Sequence, residues 1–90
     1  MTTTEMDVDS LLDSLIDEPK SLILLNDDVT PADLVSNTIM EVCGYPATQA
    51  EQIMLIAHTK GKANLKNGYY DELVEIHDKF ASRNISTEIE

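Results

Sequence analysis

Four side chains in the sequence have the types and positions to bind a small cationic group. Asn26, Asp27 and Asp28 are consecutive and follow a short aliphatic run, so a carboxamide and two carboxylates stand at the expected end of a strand. His58 lies near the end of a later apolar segment. A primary ammonium group has three donors that an amide oxygen, a carboxylate and a neutral imidazole can accept. A turn that hydrogen-bonds its own backbone, beside a structural histidine, is the alternative interpretation.

Other kinds of chemistry have less support in the sequence. Carboxylates with histidine bind divalent metals, and a small hydrolase or metal enzyme could use Asp27, Asp28 and His58. The chain has no H-E-x-x-H, C-x-x-C or EF-hand spacing, and no G-x-S-x-G, Walker A or dinucleotide fingerprint. Cys43 and His77 belong to no recognisable catalytic arrangement. We therefore expect no enzymatic activity, no cofactor and no bound metal.

A strand and a helix are predicted to position residues 26–28, here called the acidic cluster. The aliphatic residues 22–25 end at that cluster, and their length suits a buried strand. A helix is expected to follow at once, with Thr30 as its N-cap and Pro31 at its first position. Gly44 and Pro46 supply the left-handed residue and the proline that end a helix.

The helix that carries His58 is unusually apolar. It is predicted to begin between Pro46 and Thr48, with a capping box of Thr48 and Glu51, and to end before Gly61. Six apolar residues predict that this helix is buried on most sides: Ala50, Ile53, Met54, Leu55, Ile56 and Ala57. His58 would then lie where a buried helix reaches the surface.

The remaining segments complete a small domain. Residues 62–65 indicate a short strand, Asn67 and Gly68 a turn, and Asp71 the cap of a third helix. That helix has an apolar stripe of Leu73, Ile76 and Phe80, and a final strand is indicated by the alternation of Ile85, Thr87 and Ile89. The order predicts a single α+β domain, β-α-α-β-α-β, with three helices packed on a short antiparallel sheet.

Composition narrows the class of protein. The 90 residues are 42% hydrophobic and 26% charged, which fits one globular domain with no membrane span. The net charge of −11 would repel nucleic acid. The single Cys43 and the lack of a leader pattern predict a cytoplasmic protein. Residues 1–19 have six acids, no base and a single apolar cluster that is too small to fold alone, so we expect a flexible acidic N-terminal arm before a core domain of residues 20–90.

Two blocks of the sequence resemble the ClpS adaptor family. The first is L-L-N-D-D-V-T-P over residues 24–31, and the second is Q-I-M-L-I-A-H-T-K-G-K-A over residues 52–63. N-D-D-x-T-P paired in this order with M-L-x-x-H-x-x-G-K-A is highly specific. The resemblance is dense over residues 22–63, weaker over residues 64–90 and absent from the arm.

The resemblance implies a non-enzymatic adaptor. ClpS proteins recognise N-degrons, which are substrates with a large hydrophobic first residue, and deliver them to a Clp AAA+ unfoldase such as ClpA or ClpC. Carried onto this chain, Asn26, Asp27 and His58 would bind the α-amino group and the first peptide unit. A hydrophobic cup for the first side chain would be lined by Leu24, Ala32, Val35, Met54, Ala57 and Ile85.

The chain departs from the family's pattern in two places. Ala32 stands where many members have a methionine that narrows the pocket, which predicts a wider or reshaped cup. Residues 66–84 are shorter than usual and lack the charged surface that docks the unfoldase, with Glu72 corresponding to one docking acid. Two alternatives follow: an interaction module with this fold and another partner, as in the ribosomal stalk protein's C-terminal domain, and an inhibitory variant that binds the unfoldase but delivers poorly.

Overall fold

The computed structural model describes residues 18–90, and its elements follow the predicted β-α-α-β-α-β order. The elements are β1 (Lys20–Leu25), α1 (Ala32–Cys43), α2 (Ala47–Lys60), β2 (Lys62–Gly68), α3 (Tyr70–Ala81) and β3 (Thr87–Ile89). The predicted fold class is therefore confirmed. The acidic arm predicted for residues 1–19 lies outside the described residues except for its last two positions.

β1 is the central strand of the sheet and carries the acidic cluster directly after its last residue. The strand order is β2-β1-β3, and both neighbours are antiparallel to β1. The register pairs Leu24 with Ala63 on one side and with Thr87 on the other, and it shifts between Leu22 and Ile23. Because β1 is hydrogen-bonded on both sides, its end is a fixed point for the loop that follows.

The hydrophobic core joins the helices to the sheet. Leu22 and Leu24 of β1 belong to its main cluster, while the neighbouring Ile23, although also buried, lies outside that cluster, as expected from the alternation of side chains along a strand. The helices contribute stripes at helical spacing: Val35 and Ile39 from α1, Ala50, Ile53 and Ala57 from α2, and Leu73, Ile76 and Phe80 from α3. The apolar stripe predicted for the third helix is thus confirmed.

The expected burial of α2 on most sides is wrong. Leu55 and Ile56 are 55% and 44% exposed, and only Ala50, Ile53 and Ala57 of this helix are buried. α2 packs mainly against α1 and β2, so its outward face has no further layer to cover it. Apolar composition alone cannot reveal how many neighbours a helix has. None of the helices within residues 18–90 combines the length and the apolar character needed to cross a membrane.

The helix starts differ from those predicted. The N-caps are Pro31, Pro46 and Tyr69, and none makes a side-chain capping hydrogen bond. The predicted caps at Thr30, Thr48 and Asp71 are therefore wrong: α1 begins one residue later than predicted, and Thr48 and Asp71 lie inside the first turns of α2 and α3. Asn67 and Gly68 are not a turn but the last residues of β2. The helix ends are as predicted: Gly44 and Gly61 have φ of 76° and 94°, a region that favours glycine.

The predicted final strand is present, but it is shorter than the alternation indicated: Thr87 and Ile89 lie in β3, whereas Ile85 precedes it. Asn84 has a φ of 62° and donates its N–H to the Ala81 carbonyl at 2.9 Å, and the Ile85 N–H donates to the Phe80 carbonyl at 3.0 Å. This hydrogen-bond pattern is a Schellman motif, in which a hydrophobic residue after the left-handed position packs back on the helix. Ile85 is accordingly buried against the core ahead of β3.

Candidate functional site

One cleft, beyond the end of β1, brings together the three polar and six apolar residues that the sequence assigns to substrate binding. Its polar lining includes Asn26, Asp27 and His58, and its apolar lining includes Leu24, Ala32, Val35, Met54, Ala57 and Ile85. Two further lining residues were missed by the sequence interpretation, Leu25 and Thr30. The cleft encloses about 370 Å³, including the space open to solvent at its mouth.

Backbone hydrogen bonds hold the walls of the cleft to the end of β1. The Leu25 N–H donates to the Ser86 carbonyl at 3.1 Å, and the Asn26 N–H donates to the Gly61 carbonyl at 2.9 Å. Gly61 in turn donates its N–H to the Ala57 carbonyl at 2.9 Å, which closes the last turn of α2. The cleft is therefore assembled from three separate chain segments whose spacing is set by main-chain contacts.

Asp27 is held in a fixed orientation by its own loop. Its Oδ1 accepts from the Val29 N–H at 2.8 Å, and its Oδ2 accepts from the Thr30 hydroxyl at 2.6 Å. The hydroxyl of Thr30 and then the N–H of Val29 lower the pKa of Asp27 below its ordinary value of 3.8, because both donate to the ionised form. The self-bonded turn and the cation site are thus compatible, because a carboxylate has further lone pairs that can face the cleft.

Asn26 and His58 complete the polar rim. Both are exposed, and His58 lies in the last turn of α2. The Asn26 Nδ2 lies 3.5 Å from Asp28 Oδ1, which leaves the carboxamide oxygen of Asn26 as an acceptor. Asp28 itself does not line the cleft. The rim therefore presents an amide, a carboxylate and an imidazole, while Asp28, which the sequence placed in the same cluster, lies outside it.

The floor of the cleft is apolar. Leu24, Val35, Ala57 and Ile85 are buried and come from different elements, while Met54 is half-buried above them. Ala32 is exposed at the first position of α1, and its methyl group covers little of the cleft on that side. A cleft with apolar depth and one carboxylate among the acceptors at its mouth can accept a hydrophobic side chain next to a positive charge.

The remaining candidate groups lie away from the cleft. Cys43 is at the opposite end of α1 from Ala32, and burial raises the pKa of its thiol. Glu72 is exposed in the first turn of α3 and forms an ion pair with Lys66 at 3.4 Å, and His77 Nδ1 lies 3.2 Å from an Asp78 carboxylate oxygen. Across residues 18–90, no three histidine, cysteine or acidic side chains are grouped to hold a metal ion.

Sequence comparisons point to a single family. The family model described as "ATP-dependent Clp protease adaptor protein ClpS" matches residues 17–86. The curated ATP-dependent Clp protease adapter protein ClpS of Helicobacter hepaticus is 43% identical over 53 residues, which is 57% of this chain and 54% of the relative. That of Hydrogenovibrio crunogenus is 44% identical over 41 residues, 46% of this chain and 39% of the relative. The chain spans about half the length of the curated relatives it matches.

A solved structure has the same fold. Agrobacterium tumefaciens ClpS2 bound to L-phenylalaninamide superposes with a TM-score of 0.77 at 20% identity, covering 81% of this chain and 95% of that one. At this identity the likeness concerns the fold. The family model, in contrast, covers most of the chain and includes both sequence blocks that line the cleft. This chain therefore belongs to the ClpS family of ATP-dependent Clp protease adaptors.

Proposed function

We propose that this protein is a non-enzymatic adaptor that binds N-degron substrates and delivers them to a Clp unfoldase. The observation that carries the proposal is the cleft itself, in which an apolar floor lies beneath a rim of hydrogen-bond acceptors. The first residue of a protein chain is the one place where a side chain lies next to a free ammonium group. Such a cleft is suited to chain ends.

The rim matches the charge of an amino terminus. A free α-amino group has a pKa of about 7.7 to 8.0 and is largely cationic at neutral pH. Asp27 supplies a carboxylate, and the carboxamide oxygen of Asn26 and a ring nitrogen of His58 supply two further acceptors, one for each remaining ammonium donor. An acetylated or internal residue has no such charge, so binding it would leave these polar groups without partners.

The floor contributes the preference for large apolar side chains. Burying a leucine or phenylalanine side chain contributes about 1.5 to 3 kcal/mol, and each hydrogen bond from a charged donor contributes a similar amount before desolvation. Neither part alone gives tight binding, so the two must be satisfied together. The L-phenylalaninamide in the similar ClpS2 structure has a free amino group beside a benzyl side chain, which is the combination proposed here.

The proposed partners follow from the family. They are a Clp AAA+ unfoldase of the ClpA or ClpC type and substrate proteins with a large hydrophobic N-terminal residue, in the cytoplasm. Glu72 is the proposed docking acid, since it is exposed on the first turn of α3 and outside the cleft. Neither nucleic acid nor a membrane is a proposed partner.

The proposed binding of the amino group by the rim residues, here called the clamp, is tested by Asp27→Asn and His58→Ala. Asp33→Asn is the matched control. Asp33 is an exposed acid in the first turn of α1 that does not line the cleft, so its variant removes one charge without touching the rim. Fluorescence anisotropy with a Leu-initiated peptide and its N-acetylated form measures affinity. We expect each rim variant to bind the free peptide about tenfold or more weakly, with the control unchanged.

Two outcomes would contradict the clamp. Native-like circular dichroism with unchanged affinity in both rim variants would show that these residues do not bind the amino group. Equal binding of the free and acetylated peptides by the unaltered protein would instead favour an interaction module with this fold and another ligand.

A further inference from the structure

Arg83 links two walls of the cleft from outside it. The residue lies between α3 and the buried Ile85, and its side chain crosses to α1. We propose that Arg83 is a positioning residue that sets the width of the cleft by fixing residues 84–86 to α1. The proposal rests on the proposed function for its meaning, but its geometry can be tested without a substrate.

The anchor on α1 consists of two side chains one turn apart. Arg83 Nη1 donates to Thr38 Oγ1 at 3.1 Å and lies 2.6 Å from Glu41 Oε1. Thr38 is fully buried, and its hydroxyl proton is directed to the Leu34 carbonyl at 2.7 Å. Its oxygen is thus left as an acceptor for the guanidinium, in a place where an unpaired polar group would be costly. The Thr38 hydroxyl oxygen can therefore accept a hydrogen bond from the Arg83 guanidinium without giving up its own bond to Leu34.

The segment that Arg83 fixes has three contacts with the cleft. Ile85 forms part of the apolar floor, and the Ser86 carbonyl accepts from the Leu25 N–H at 3.1 Å. The Asn84 carbonyl lies 3.4 Å from Thr30 Oγ1, the hydroxyl that donates to Asp27 at 2.6 Å. A shift of residues 84–86 consequently reaches both the floor and the rim.

The opposite wall belongs to the helix on which Arg83 is anchored. Ala32 and Val35 line the cleft from α1, and Thr38 and Glu41 follow them on the same helix. Helices behave as rigid units on the scale of one or two turns, so the distance between Val35 and Ile85 depends on the link from Arg83 to α1. The ion pair is half-exposed and contributes little to stability by itself, which leaves positioning as its main effect.

The test compares Arg83→Ala and Arg83→Lys with Lys79→Ala, an exposed base on α3 that does not line the cleft. Affinity is measured for peptides that begin with Phe and with Ala. We expect Arg83→Ala to bind the Phe peptide about three- to tenfold more weakly and the Ala peptide almost normally, so that the ratio of the two affinities falls. Arg83→Lys should recover part of that ratio because it keeps a cation near Glu41.

The Ile85 methyl resonances provide a readout that needs no ligand. They should shift in Arg83→Ala, measured well below the Tm of each variant, and stay in place in Lys79→Ala. A folded Arg83→Ala protein with unchanged methyl shifts, or with an unchanged Phe-to-Ala affinity ratio, would overturn the inference. If the unaltered protein bound neither peptide, the proposed function would fail, and the methyl shifts alone would decide the role of Arg83.

Discussion

Ala32 offers the most direct test of the proposal that the cleft selects the first side chain of a substrate. Ala32 is the first residue of α1, is exposed, and lines the cleft. The Ala32→Met variant adds three heavy atoms beyond Cβ. The Cα–Cβ bonds of a helix tilt toward its N-terminus, and this end of α1 adjoins the cleft, so the added atoms should extend over its mouth. We expect the variant to lose affinity for the bulkiest first residues.

The magnitude follows from the apolar contacts that a bulky side chain would lose. Each methylene-sized group kept out of the floor costs about 0.8 kcal/mol. Two such groups, excluded from a Trp ligand but not from Leu, cost about 1.6 kcal/mol, or about 15-fold in relative affinity. Pocket discrimination between apolar side chains reaches about 200-fold at most, which sets the upper bound.

The assay is fluorescence anisotropy with peptides that differ only at residue one, carrying Leu, Phe, Trp or Ile. Ala47→Met is the matched control, because Ala47 is also exposed, is the first residue of α2 and also follows a proline N-cap, but does not line the cleft. Trp and β-branched Ile should lose more affinity than Leu in Ala32→Met alone. Equal losses for all four peptides would show that residue 32 does not contact the bound side chain, and an unchanged profile would mean that the methionine turns into solvent.

Two further predictions concern the loop and the arm. Thr30→Val removes the main donor to Asp27, so the pKa of Asp27 should rise toward 3.8. As the solution is acidified, the stabilisation that ionised Asp27 provides should then disappear at a higher pH than in the unaltered protein. A carboxyl ¹³C NMR titration of Asp27 that matches the unaltered protein would refute this prediction. Deleting residues 1–19 should leave peptide affinity nearly intact and reduce degradation of a model substrate by the cognate Clp protease, whereas loss of peptide binding without unfolding would assign the arm to the binding site.

Local signals made most of the fold predictable. Gly44 and Gly61 occupy the left-handed positions that end α1 and α2, and both can be read from the sequence because few other residues adopt that conformation. Residues 22–25 were long enough for a strand and too short for a helix. The first residues of the helices were harder to predict from the sequence, since a threonine that favours a cap can also form other hydrogen bonds.

The residues missed in the cleft show where sequence reasoning ends. The position of Thr30 before Pro31 predicts a helix cap, yet its hydroxyl donates to Asp27, because the loop brings the Asp27 carboxylate within hydrogen-bonding distance. A hydroxyl three residues after a carboxylate is the signal that could have identified it. The family resemblance assigns Ile85 to the cleft, but the alternation of residues 85, 87 and 89 predicts a strand there. Alternation alone cannot distinguish a longer strand from a Schellman motif that is followed by a shorter strand.

The central position of β1 also has a consequence for the order in which the site is built. The first rim residues directly follow β1, yet its partner β3, together with residues 84–86, is synthesised after all of the other described elements. Contacts between distant segments form late because loop closure costs entropy. At about 5 to 20 residues per second, the 27 residues from His58 to Ile85 take about one to five seconds to synthesise, so all three rim residues precede Ile85 by at least that time. The cleft is therefore complete only after residues 84–86 and β3 have joined β1.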